Sequence, residues 1–385
     1  LRNHAARGLS GMRLLHVHSG NLYGGVETMM LTLARARAAA PAIVPEFALA
    51  FDGRIAAELR ATGVPVHRLD EVRARNPLSV IRARRRLADV LAAGAYGAVA
   101  CHMPWAQAIF APVVRRAGVR NIFWMHGPAA RRHWTERWAA RTPPDFAICN
   151  SRHTAATLPR LFPHTGAEVL YCPVAIPAAR QSAAERLAVR NEIGAARDAA
   201  VIVQVGRMEA LKGHALLLRA LATLRHRDWV CWQIGEAQRP EELSYLNGLK
   251  RLADELGVGD RVKFLGHRSD VIRLLEAADI YCQPNIAPDA FGISYIEALG
   301  ARLPVVTTAL GGALEIVDES CGVLVAPLKA DALAAALARL LDDDGLRRRL
   351  GAAGPARAAA LCDPPMILRR MEKMVEGLNQ SKLAS

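Results

Sequence analysis

Two successive runs of short apolar segments, each segment separated from the next by a helical pattern, constrain this chain more than any single motif. In the first run, strand-like stretches lie at 14–17, 43–50, 64–68, 98–101, 121–125, 146–149 and 168–171, with helical periodicity between most of them, as at 28–38 and 78–93. The second run places them at 200–205, 230–234, 262–265, 280–283, 305–308 and 322–325. Strands that alternate with helices assemble as doubly wound parallel sheets. Between the runs, 172–182 is rich in Pro and Ala and lacks periodicity, which marks a linker. With 385 residues, 52% of them hydrophobic, the chain exceeds one ordinary core and can fill two. The expectation is an α/β protein of two Rossmann-like parallel-sheet domains facing across a cleft. An N-terminal domain would cover 1–177 and a C-terminal one 178–362, followed by a last helix over 363–385 with apolar residues at 366, 367, 371, 374, 375 and 378. Open parallel sheets bind ligands beyond the C-terminal ends of their strands, so the residues that leave each strand are the candidates for function.

The stretch ADIYCQPNIAPDAFGISYIEALGARLPVVTTAL, 278–310, reads as strand, Pro-containing loop, helix and strand. The helix is expected to start near Phe291, because Ile293, Ile296, Ala298 and Leu299 recur at helical spacing and Pro304 ends the pattern. At such a start Gly292 lets the free backbone N–H groups, its own and that of Ile293, approach an anion with the positive end of the helix dipole. Asp289 and Glu297 flank that point. Carboxylates repel phosphate, so both are read as acceptors for sugar hydroxyls. Upstream, the run from Gly206 to Gly213 follows a strand and carries Arg207 and Lys212, a fork and a mobile point charge suited to a diphosphate. Gly235 and the pair Gly266-His267 end two further strands. In the first half, Gly24 and Gly25 permit a tight loop after the first strand, ahead of Glu27. That loop is not G-x-G-x-x-G, which disfavours a nicotinamide site. His126 closes another strand.

The order Asp289-x-Phe291-Gly292, four residues, Glu297-Ala298 resembles the signature of family 4 glycosyltransferases, retaining nucleotide-sugar enzymes of GT-B fold. The family's first acid is Glu; here it is Asp289. The resemblance extends to Gly206-Arg207 with Lys212-Gly213 and to the Gly24-Gly25-x-Glu27 loop, and it covers essentially 12–380. It implies that Asp289 faces the donor sugar, that Phe291, Gly292 and Ile293 meet the diphosphate and that Glu297 holds the ribose. It also implies that Arg207 and Lys212 neutralise the departing nucleoside diphosphate, that Gly235, Gly266 and His267 bound the base, and that His126 lies near the reacting sugar. The last helix would be the one that in GT-B folds crosses back to the first domain. The donor would be a nucleoside-diphosphate sugar, UDP- or GDP-linked, with no further cofactor.

Charge is distributed unevenly. Residues 1–177 hold 23 Arg, no Lys and 10 acidic residues, whereas 178–385 hold 27 basic and 26 acidic, so nearly all of the net +14 lies in the first half. Such a field gathers anionic partners; a genome that writes Arg at every solvated position is the alternative source. Trp134 and Trp138 share a helical face near Arg131, Arg132 and Arg141, and with Arg82, Arg84, Arg85 and Arg86 they fit an acceptor surface or a peripheral contact with anionic membrane, or equally buried Trp with solvated Arg. No nucleic-acid module is recognisable. No apolar run reaches a membrane span, the LLHV stretch is too short for a signal peptide, and residues before Met12 read as a leader. Seven scattered cysteines without C-x-x-C fit buried thiols in a reducing cytosol rather than disulfides or zinc. Asp342-Asp343-Asp344 reads as a solvated helix junction, not a metal motif. The expected function is transfer of a sugar to a glycan, lipid-linked or envelope acceptor in the cytoplasm. A nucleotide-sugar 2-epimerase and a non-catalytic nucleotide-sugar or glycan binder are the alternatives.

Overall fold

A computed structural model describes residues 11–176 and 180–383. The expected leader before Met12 and the expected boundary at 177/178 fall, apart from Gly11, outside the described residues. The chain divides into two units, Leu1–Pro173 with Pro364–Ser385 and Val174–Asp363.

In the first unit seven strands form one parallel sheet: β1 (Met12–His18), β2 (Ile43–Leu49), β3 (Val66–Arg68), β4 (Tyr96–His102), β5 (Arg120–Met125), β6 (Phe146–Cys149) and β7 (Ala167–Val169). Their order is β3-β2-β1-β4-β5-β6-β7, so the connection from β3 to β4 crosses over and leaves a switch point between β1 and β4. Helices cover the sheet because each turns an apolar stripe to it. Gly25–Ala36 buries Met29, Met30 and Leu33, and Pro77–Ala93 buries Val80, Ala83, Leu87 and Leu91 at helical spacing. Each of the Met, Leu and Val side chains contributes roughly 1.5–3 kcal/mol of burial. The last helix, Pro364–Leu383, packs in this unit, its Glu372 accepting the Ala42 N–H at 2.6 Å.

The second unit holds β8 (Ala200–Val205), β9 (Trp229–Ile234), β10 (Val262–Gly266), β11 (Ile280–Gln283), β12 (Val305–Thr308) and β13 (Gly322–Val325). They pair in parallel in the order β10-β9-β8-β11-β12-β13, with the switch point between β8 and β11. Its core clusters Ile202, Leu217, Leu221, Trp229, Ile280 and Leu337. All seven cysteines are free and buried. The Asp342–Asp344 run is a junction between two helices, with the Asp343 side chain capping the second through the Leu346 N–H at 2.8 Å.

One partly buried charge fixes the start of this second sheet. Asp279, at the entry to β11, is paired with both Arg186 and Arg190 of the helix Ala183–Ile193, and it accepts the Val201 N–H of β8 at 2.7 Å. Arg190 is buried and also donates to the Ala277 carbonyl at 3.0 Å. Removing the carboxylate leaves a buried cation uncompensated, which costs about 3 kcal/mol or more. Asp279→Ala is therefore expected to lower the thermal midpoint by several degrees, measured by circular dichroism, with Asp279→Asn retaining part of the loss.

Candidate active site

The sequence-selected residues of the second unit gather at the C-terminal ends of β8 to β11. The loop 206–213 leaves β8 and the loop 284–292 leaves β11; these are the two strands at the switch point. Three contacts join the loops. The Ile286 N–H donates to the Leu211 carbonyl at 2.9 Å, the Lys212 ammonium meets the Asp289 carboxylate at 2.6 Å, and Gly213 lies so close to Pro284 that a Cβ there would sit 1.9 Å from its carbonyl oxygen. Gly213 also has φ +74°, so both its conformation and its surroundings demand glycine.

Asp289 is held from several sides. Burial pushes its carboxyl up, but Lys212, through charge and hydrogen bond, with the Ala290 N–H and Asn285, brings it below the ordinary carboxylate range. Arg207 is paired with Glu209 and, at 3.4 Å, with Glu242. Both cations therefore carry acidic partners.

The helix starts at Ile293, two residues later than its periodicity predicts, because Gly292 takes φ +104° and stands as its N-cap. No side chain caps this end, and within the first turn the Tyr295 N–H donates to the Gly292 carbonyl at 3.1 Å. A Cβ on Gly292 would lie 2.4 Å from the Tyr295 ring. Glu297 follows one turn on. Its carboxyl has no hydrogen-bond or ion-pair partner among the described residues, and although part of the residue reaches solvent, burial alone pushes the carboxyl up to about 7. An unpartnered carboxyl beside an uncapped helix start suits a neutral polyol better than a phosphate.

Sequence reasoning missed what supports these loops. Gly311 and Gly312 underlie the 289–291 backbone: the Gly312 N–H donates to the Asp289 carbonyl at 3.0 Å, and a Cβ on Gly312 would lie 2.6 Å from the Phe291 Cα. Beneath the helix, buried polar side chains are linked. Tyr281 donates to Ser294 at 2.8 Å, Asn285 to the Tyr295 hydroxyl at 3.0 Å, and Thr307 to the Gln283 carbonyl at 2.8 Å. Polar residues inside strand patterns were the available signal. Gly235 and Gly266 end neighbouring strands, with the Gly235 N–H donating to the Gly266 carbonyl at 2.9 Å, and His267 is exposed.

In the first unit, Gly24 and Gly25 open the helix after β1. The Gly24 N–H donates to one oxygen of Glu27 at 2.9 Å, and the other oxygen meets His18 Nε2 at 2.6 Å. His126, after β5, stacks on His102, which the sequence reading overlooked along with His16 and His18. Burial pushes the His126 imidazole down to about 3, helped by neighbouring His18 and His16.

The family model described as Glycosyl transferases group 1 matches residues 185–357, and that described as Glycosyltransferase Family 4 matches 23–176. A protein named D-inositol 3-phosphate glycosyltransferase from Actinosynnema mirum is 33% identical over 229 residues, 55% of this chain and 53% of its own length. One of the same name from Corynebacterium glutamicum is 34% identical over 172 residues, 42% of this chain and 40% of its own. The chain thus spans about half the length, or less, of these curated relatives. Among solved structures, Anabaena Alr3699/HepE in complex with UDP and glucose superposes with a TM-score of 0.85 at 21% identity, covering 95% of this chain and 99% of the other. The fold is GT-B.

The free carboxyl yields a test of the site's electrostatics. Glu297 titrates near 4.5 unfolded and near 7 folded, so it is neutral in both states at low pH, and between these values the unfolded chain releases its proton first. Its contribution to stability falls as pH rises across that window and is fully unfavourable above it. Glu297→Gln is expected to melt higher than the parent at pH 8 and level with it at pH 4, in parallel thermal unfolding curves. An equal gap at both values would contradict the assignment.

Proposed function

This chain belongs to the GT-B glycosyltransferases of family 4, and from that premise we propose that it moves a sugar from a nucleoside-diphosphate donor, UDP- or GDP-linked, to a glycan, lipid-linked or envelope acceptor with retention of configuration. The observation that carries the reading is the Lys212–Asp289 pair beside the uncapped start of the helix Ile293–Gly300. In this reading the diphosphate takes Lys212 and Arg207 from their acidic partners and receives the Gly292 and Ile293 N–H groups. The released Asp289 accepts donor-sugar hydroxyls, and Glu297 accepts from the ribose. Phe291 packs below the diphosphate turn, and Gly235, Gly266 and His267 bound the base. In the first unit, Gly24 and Gly25 present backbone to the donor or acceptor, and His126 faces the reacting sugar.

The chemistry asked of the protein is electrostatic. Breaking the glycosidic bond to phosphate places developing negative charge on the leaving oxygen. Two preplaced cations and a helix N-terminus stabilise that charge without reorganising at the moment of reaction. Positioning of the acceptor supplies the remainder. Among the described residues no group of three or more His, Cys, Asp or Glu is arranged to hold a metal ion, and this mechanism calls on none.

The charge of the first unit supports an acceptor held there. The helix Pro77–Ala93 exposes Leu78, Ile81, Arg82, Arg85 and Arg86, and Trp134 is exposed beside Arg131 and Arg132. Arginines interleaved with apolar side chains favour an anionic acceptor, or one embedded in anionic lipid at the inner face of a membrane. Among the described residues no helix is long and apolar enough to cross one.

Arg207→Ala and Lys212→Ala are each expected to lower turnover at least tenfold, the scale of losing one charge-stabilising group, with circular dichroism unchanged. The assay is release of nucleoside diphosphate from a panel of UDP- and GDP-sugars with candidate acceptors. Parental rates in both variants would remove the proposed site. Donor epimerised without any acceptor would instead assign a 2-epimerase, and donor binding without turnover across the panel a binder.

A further inference from the structure

Three histidines that lie far apart in sequence form one hydrogen-bonded line across the first sheet. His16 Nδ1 lies 2.9 Å from His102 Nε2, and His102 Nδ1 lies 2.8 Å from His126 Nε2. The strand register puts them there. His16 of β1 faces Ala100 of β4, which sets His102 one step further along, and His102 faces Trp124 of β5, which sets His126 one step beyond that. The line therefore climbs diagonally over β1, β4 and β5 to the C-terminal edge. The rings are stacked as well as bonded: His102 lies 5.1 Å from His126 at 15° and 5.1 Å from Trp124 at 20°, and His16 lies 5.1 Å from Phe47 at 20°.

Each neutral imidazole has one N–H and one bare nitrogen, so two bonds among three rings allow two directions. In one, every Nδ1 donates and His126 ends the line with an outward Nδ1–H. In the other, every Nε2 donates, His126 ends with a bare Nδ1, and His16 keeps an Nε2–H. His16 Nε2 is buried and has no partner among the described residues. A buried N–H without an acceptor is rarer in folded proteins than an acceptor left unused, so the inner end decides the direction. The surroundings keep the line neutral. His16, like His126, is pushed down to about 3 by burial, and His102 falls well below the ordinary histidine range. Glu27, in the first turn of the helix after β1, is taken up by His18, and His18 meets His102 edge-on at 6.1 Å.

We propose that His16 and His102 are positioning residues that hold His126 in the Nδ1–H tautomer, so that His126 donates a hydrogen bond to a sugar oxygen and does not act as a general base. The proposal rests on the preceding reading only for the identity of the oxygen; the tautomer is a property of the unliganded chain. A base at this position would need a bare outward nitrogen, and the inner rings deny it one. The donor stays in place across the neutral range, because no ring in the line gains a proton there.

The direct test is nitrogen NMR of the full chain labelled with 15N-histidine. The expected spectra assign His16, His102 and His126 as Nδ1–H tautomers with shifts unchanged from pH 6 to pH 8. An Nε2–H pattern at His126, or its protonation within that range, would overturn the proposal whatever the enzyme's substrates prove to be. The functional arm compares His102→Asn, whose amide N–H can still donate to His126 Nε2, with His102→Leu, which cannot. His102→Leu is expected to lower kcat about tenfold with little change in donor KM. His102→Asn is expected to recover most of that loss. Equal losses in the two variants would mean that His102 serves packing alone and would reject the positioning role. If His102→Leu does not fold, the NMR assignment on the parent chain decides.

Discussion

The contact on which the second unit's site depends is the ion pair between Lys212 and Asp289. It joins two loops that leave adjacent strands, and neither loop has regular structure to hold it beyond a short turn at Ala210–Lys212. Both groups are largely withdrawn from solvent, so each needs the other while the site is empty. A partly buried pair of this kind gives little net stability against its desolvation. What it provides is placement, because each charge is already dehydrated where a ligand would need it.

The architecture was legible because parallel strands buried on both faces write near-continuous apolar runs. All thirteen expected strand regions became strands, with ends moved by at most two residues. The helix after β11 was displaced by two residues for a reason periodicity does not encode: Gly292 adopts a left-handed conformation and pushes the first helical residue to Ile293. That Arg207 and Lys212 would lie beside Asp289 and Gly292 was legible because each group follows one of two strands, β8 and β11, that pair at the switch point. The engagement of both cations by acids was not legible, since Glu242 lies 35 residues from Arg207 and only folding brings it near.

The histidine line failed to register for a similar reason. His16 and His18 sit two apart on one strand, a period-two pattern visible in the sequence, yet their relation to His102 and His126 exists only once β1, β4 and β5 are aligned. A strand-final histidine read alone is ambiguous. Read with its stacked neighbours, it becomes the outer end of a buried polar assembly whose inner rings are specified as tightly as any core residue. The Gly311-Gly312 support was missed because a glycine pair after a strand ordinarily reads as a turn. Here it makes room for another loop's backbone.

The burial of all seven cysteines has a practical side. Burial pushes the thiols of Cys101, Cys149, Cys172, Cys231, Cys282 and Cys321 up, away from the thiolate form that reacts. The native fold is thus a nearly silent background for alkylating dyes. One cysteine introduced on an exposed position such as Ile286, on the loop that carries Asp289, would be a single addressable handle from which fluorescence could follow a ligand's arrival in real time.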